Sequence, residues 1–265
     1  MSMYWVYDLP TWLFGVLTTA AAVAIGLAGL QVTRRWARRV HREQHSHNEI
    51  VGFYLGAVCL FYGITLGLLA VGAWQTYSDV GTKVDQEASA LAVVYRIVSN
   101  LPEPKRTELQ NDLREYTREV IDVAWPLQRR GIVPQSTTGA LNTIQNHLAG
   151  FEPVTESQKT LHAEAYRVFD RMVELRRLRL RNVGAGLPTP LWSVVLVGGL
   201  LNIALTWFFD LRSQTMHVWM TVMFAGFVGL LIFQLAAMDQ PFRGEISVGP
   251  DAFELVYEQT MKPAT

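Results

Sequence analysis

The chain has 265 residues, 23 basic and 23 acidic side chains and no net charge, and half of its residues are hydrophobic. A balanced charge argues against a nucleic-acid binder, which shows a basic balance or stripe. The single cysteine, Cys59, rules out an intrachain disulfide scaffold.

The distribution of charge is more telling than its total. Of the 46 charged residues, 29 lie between Gln75 and Gly186. The windows Thr11–Val32, Ile50–Gln75, Asn182–Phe209 and Ser213–Met238 contain none, over 22, 26, 28 and 26 residues respectively. A helix needs roughly 20 apolar residues to cross the hydrocarbon core of a bilayer. Each window is long enough, and four such runs are foreign to a soluble chain.

In chain order, the first span is expected from Thr11 to Val32. It is followed, not preceded, by basic residues (Arg34, Arg35, Arg38 and Arg39), so it reads as a retained span and not as a signal peptide. The second is expected from Ile50 to Trp74, the third from Pro190 to Phe209 and the fourth from Thr215 to Met238. Tyr4, Trp5, Tyr7, Trp12, Trp36, Trp74, Tyr77, Trp192, Trp207 and Trp219 cluster at their ends, where amphipathic rings sit at the membrane interface.

Between the second and third spans the period changes to that of amphipathic helices. Val84, Leu91, Val94 and Val98 share one face; so do Leu109, Leu113, Tyr116, Val120 and Val123; so do Leu161, Ala165, Val168, Met172 and Leu175. Turn-forming segments at Leu101–Pro104, Gly131–Gln135 and Gly150–Thr155 separate them. Helices with one apolar stripe must bury it against each other, so a small helical bundle is predicted. Strand is suggested only at Glu245–Val248. The expected fold is all-α: four transmembrane helices in a 2 + 2 arrangement around a helical-bundle domain. The predicted division is 1–75 for the first transmembrane pair, 76–186 for the extramembrane domain, 187–239 for the second pair and 240–265 for a C-terminal tail.

Loop 33–49 holds five arginines and two acids and is short enough for the positive-inside rule. It is predicted to be cytoplasmic, with the termini and the 76–186 domain outside. Arg176, Arg177, Arg179 and Arg181 oppose this, but long loops translocate largely regardless of charge.

The motif Asp239-Gln240-Pro241-Phe242-Arg243-Gly244, followed by Val248, Pro250 and Phe253, resembles the closing motif of the bestrophin-like family of bacterial and plant membrane proteins. Glu87, Ala90, Leu91, Tyr95 and Arg96 ahead of Leu101-Pro102-Glu103-Pro104, Tyr116–Trp125, and Arg177–Leu178 before Leu187-Pro188 and Leu191-Trp192 are similar to its other helices. The resemblance spans nearly the whole chain. It implies kinship with the bestrophins, oligomeric anion channels with four spans per subunit. Two departures accompany it. The bestrophin domain is cytoplasmic, whereas the arginine count here puts the domain outside, and no acidic cluster matches their calcium clasp.

Candidate functional residues concentrate in the second span. Gly52/Gly56 and Gly63/Gly67 are small-xxx-small pairs that let helices approach closely in membranes. One reading is ordinary helix packing; the other is a pore-lining helix with Phe53, Gly56, Phe61 and Thr65 at its constrictions. Asn202 and Gln234 are polar groups inside spans and are expected to hydrogen-bond across the last hairpin, since unsatisfied groups in lipid are costly. Mid-span acids and bases, which proton-coupled transporters need, are missing from the sequence, favouring a passive pore or a structural role. His41, His45 and His47 form a weak metal-binding pattern, more simply read as a solvated surface beside the membrane. Asp239, Pro241, Phe242 and Gly244 are expected to form a structural turn.

No nucleophile motif, phosphate loop or dinucleotide fingerprint occurs, so neither an enzyme nor a cofactor is expected. The expected partners are the lipid bilayer, further copies of the chain and inorganic ions. The leading functional expectation is an oligomeric ion channel, with anion favoured by the resemblance; the alternative is a non-conducting sensor or scaffold.

Overall fold

The computed structural model describes residue 7 and residues 9–40, 45–211 and 213–262, with side chains described except at 34–40 and 45–47. The helices are α1 (Thr11–Val40), α2 (His45–Val98), α3 (Lys105–Glu119), α4 (Trp125–Arg129), α5 (Ser136–Ala149), α6 (Glu156–Arg181), α7 (Thr189–Leu205), α8 (Gln214–Asp239) and α9 (Asp251–Val256). No strand occurs among the described residues. The all-α fold with four apolar, membrane-length helices is as expected.

The chain divides into two compact units. One comprises the described part of 1–75 with 186–240 and 244–246; the other comprises 76–185, 241–243 and 247–262. α2 contributes to both.

In the first unit, α1, α7 and α8 pack around small residues. The Trp207 ring covers Gly29 so closely that a Cβ there would collide with it, and its indole N–H donates to the Gly26 carbonyl at 2.9 Å. α7 ends at Leu205, and the third span continues as a 3₁₀ turn over Thr206–Phe208. At the other end of this unit, Asp239 is buried. It accepts the Leu187 backbone N–H at 2.5 Å and the Trp192 indole N–H at 3.2 Å, which ties the start of α7 to the end of α8.

The second unit is the predicted bundle, and its stripes face one core: Val84, Leu91 and Val94 of α2, Leu109, Leu113 and Tyr116 of α3, and Ala165, Met172 and Leu175 of α6. α6 starts with a reciprocal cap between Thr155 and Gln158. The break between α3 and α4 has a covalent cause. Pro126 has no N–H to give an α-helical bond and its ring crowds the preceding turn, so Val120–Ala124 widens into a π turn, with the Trp125 N–H reaching the Val120 carbonyl. α4 is followed by Gly131 at φ +73°, a left-handed position that favours glycine.

Glu245–Val248 is not a strand. Gly244 adopts φ +79°, and the Val248 N–H turns back to the Pro241 carbonyl at 2.8 Å. A lone extended segment has no ladder to join; the Val248 N–H closes a local turn instead, and the Val248 carbonyl is taken up by the Trp125 indole N–H.

Candidate functional site

α2 is the least covered of the four spans. Only 6% of its most apolar stretch is buried, against 22%, 28% and 33% for α1, α7 and α8. Its packed residues in the first unit are Val51, Tyr62, Leu66 and Ala73. At about 100° per residue these fall within roughly 60° of one another. Tyr62 is the anchor, its hydroxyl donating to the Val195 carbonyl of α7 at 3.0 Å while its ring lies over Gly198.

The rest of α2 is uncovered. Phe53 is 76% exposed and Phe61 71%, and Leu60, Ile64, Leu68 and Val71 are exposed with them. Phe53, Leu60, Ile64 and Val71 stand opposite the packed face, about 180° away. Phe61 and Thr65 lie on one flank, and the Thr65 hydroxyl is held by the Phe61 carbonyl at 2.8 Å. Gly52, Gly56, Gly63 and Gly67 lie together on the other flank. A Cβ at Gly56, Gly63 or Gly67 would meet nothing within 4 Å. The pore candidates therefore share one helix but not one direction: Gly56 and Phe61 stand on opposite flanks.

The intramembrane polar groups are arranged otherwise than expected. Asn202 is buried but does not meet Gln234, which lies exposed on α8. The Asn202 amide donates to the Gly198 carbonyl at 2.8 Å and accepts from the Cys59 thiol at 3.0 Å. The helical phase of α8 turns Leu235 and Ala236 inward and Gln234 outward, so the cross-helix bond runs from α7 to α2.

No group of three or more metal-ligating side chains occurs among the described residues. His41 and the side chains of His45 and His47 lie outside the described residues.

The bundle unit contains a buried polar centre that sequence reasoning missed. Arg179 and Glu87 pair at 2.7 Å with side-chain exposures of 1% and 0%. Arg179 also donates to Gln128 at 2.8 Å, and the Tyr116 hydroxyl donates to Glu87 at 3.2 Å. The guanidinium stacks over Trp125 at 5.1 Å and Phe253 at 5.6 Å. Burial, followed by the Glu87 charge, pushes the Tyr116 phenol well above its usual range. Burial alone would lower the Arg179 pKa, but the Glu87 carboxylate outweighs it and the guanidinium is held charged. The signal was present in the stripes. Glu87 lies on the Val84–Leu91 face and Arg179 continues the Met172–Leu175 face, and a charge on an apolar stripe implies a buried partner.

The tail closes over this centre. Phe242 is 1% exposed and meets Trp125 edge-on at 5.9 Å, beside Phe253 at 5.8 Å. Trp125 donates its indole N–H to the Val248 carbonyl at 3.2 Å. Arg243 covers Gly131 and donates to the Arg130 carbonyl at 2.7 Å, at the end of α4 where a cation offsets the helix dipole.

Comparison with known proteins agrees with this architecture. Crystal structures of a bacterial bestrophin homologue from Klebsiella pneumoniae superpose with a TM-score of 0.70 at 10% identity, covering 93% of this chain and 96% of that one. A single-substitution variant of that homologue gives 0.69 at 11% identity, with 93% and 98% covered. At such identity the likeness concerns the fold. No curated protein matches the sequence. The profile of the Bestrophin-like domain matches residues 10–253, nearly the whole chain, and the protein is a membrane protein that belongs to the Bestrophin-like family.

Proposed function

We propose that the chain is one subunit of an oligomeric membrane ion channel in which α2 from each copy lines the path. The observation that carries this reading is the uncovered face of α2, which leaves the second span 6% buried in a family whose relatives include bestrophin homologues. Lipid covers apolar side chains at no cost, so exposure alone asks for no partner. The glycine flank adds a reason for one, because a row without Cβ atoms lets a neighbouring helix approach closely. With that flank against the next copy, Phe53, Leu60 and Ile64 turn toward a central axis and Phe61 toward its edge. Rings of such side chains close a pore by dewetting. Four thin helices cannot enclose a hydrated path while keeping their backbones satisfied, so conduction requires assembly.

Anions are the favoured permeant class by analogy with bestrophins. The short arginine-rich loop 33–49 supports a cytoplasmic position for that loop, with both termini and the intervening domain outside. Purified protein reconstituted into planar bilayers provides the test. Discrete conductance that follows the anion gradient supports the reading. Silent bilayers containing intact oligomers would reject it in favour of a non-conducting sensor or scaffold.

A further inference from the structure

The bundle unit holds a groove of about 570 Å³ between α5 and α6. Arg176, Arg177 and Arg181 line it together with Asn142 and Gln145, and no Asp or Glu does. The remaining arginines of α6 are all matched with acids: Arg167 with Glu164, Arg171 with Glu174 and Arg179 with Glu87. The three groove arginines have no carboxylate partner among the described residues.

Arg176 makes this more than a solvated basic patch. It is 9% exposed, and its Nε is buried without a hydrogen-bond partner. Among the described residues its bonds run from one terminal nitrogen to the Thr137 and Thr138 hydroxyls, at 2.6 and 3.2 Å. A buried charge answered only by hydroxyls is costly. Cations near a helix C-terminus offset its dipole, which accounts for Arg181 in the last turn. It does not account for a buried, unpaired guanidinium further back.

We infer that this groove binds a phosphate-type oxyanion, with Arg176 at its base and Arg177 and Arg181 clasping it from the rim. Guanidinium groups match phosphate oxygens with paired, charge-assisted N–H bonds. Three positive charges facing one groove favour a dianionic phosphate over a halide or a single carboxylate. The same chemistry is offered by free phosphate and by a phosphomonoester lipid headgroup. None of the groove's residues is among those proposed to line the conduction path, and the inference does not depend on that path.

The test uses the full chain in phosphatidylcholine nanodiscs. In one arm inorganic phosphate is titrated against chloride at equal ionic strength; in the other, phosphatidic acid replaces part of the lipid. Thermal unfolding and titration calorimetry are the readouts. A rise in melting temperature with phosphate assigns a free oxyanion, and a rise confined to phosphatidic acid assigns a headgroup. The Arg177→Ala/Arg181→Ala double variant, altered only at exposed positions, should keep its unliganded melting temperature and bind about tenfold or more weakly, the scale of one lost charge-assisted hydrogen bond. No response to either probe, or an equal response in the double variant, would overturn the inference. Both readouts report binding, so they stand apart from whether the protein conducts.

Discussion

Glu87 and Arg179 lie 92 positions apart, yet their side chains meet at 2.7 Å with almost no access to solvent. Such a pair resists the loss of either member more than its net worth suggests, because the survivor keeps its charge in a place without water. Arg179→Met or Glu87→Gln alone should lower unfolding stability by about 3–5 kcal/mol. The double substitution should recover part of that. Thermal unfolding of the single and double variants checks the coupling; additive losses would mean that the pair is not a unit.

Tyr116 donates to the same carboxylate, and its phenol is pushed well above the usual value of 10.0. The unfolded phenol therefore releases its proton at a lower pH than the folded one. This contribution to stability is complete below about pH 10 and is lost as pH rises beyond it. Melting temperatures across that alkaline range should fall more steeply in the wild type than in Tyr116→Phe. Parallel curves would count against it.

Phe242 fills the space beside Trp125 with its side chain almost wholly buried. Truncation to alanine leaves a cavity that the rigid indole cannot fill, so Phe242→Ala should cost about 3–5 kcal/mol. Chemical or thermal unfolding in detergent measures it. Unchanged stability with altered conductance would instead make the tail a gating element.

The two flanks of α2 separate assembly from conduction. Gly56→Leu places a bulky side chain on the glycine flank, where a Cβ now meets nothing, and should disperse the proposed oligomer while leaving the subunit folded. Phe61→Ala, on the opposite flank, should preserve assembly and raise conductance or leak. Light scattering of the detergent-solubilised protein and bilayer recording provide the two readouts. A monodisperse oligomer in Gly56→Leu would remove the glycine flank from the interface.

Topology has its own test. On a Cys59→Ala background, a membrane-impermeant thiol reagent applied to intact cells should label a cysteine at Gln135 and spare one at Gln44. The reverse pattern would place the loop after α1 outside and the bundle in the cytoplasm.

The four spans were legible because a bilayer imposes a length and an absence of charge that any reader of the sequence can measure. The bundle helices were legible because their 3.6-residue period marks which face is buried. Periodicity names a face but not what it meets. It placed Asn202 inside a span, while only the packed fold decided that its partner is Cys59 on α2 and not Gln234 on α8. It left Glu87 and Arg179 as anomalies on apolar stripes, and the tertiary structure resolved them into one ion pair. In α2 the sequence marked the glycines and phenylalanines and, through helical phase, their separate flanks, but which face meets α7 and which is left uncovered was decided by Tyr62 reaching the Val195 carbonyl. Local chemistry determines which elements form and which surfaces avoid water. Partners distant in the chain are decided only when packing brings the elements together.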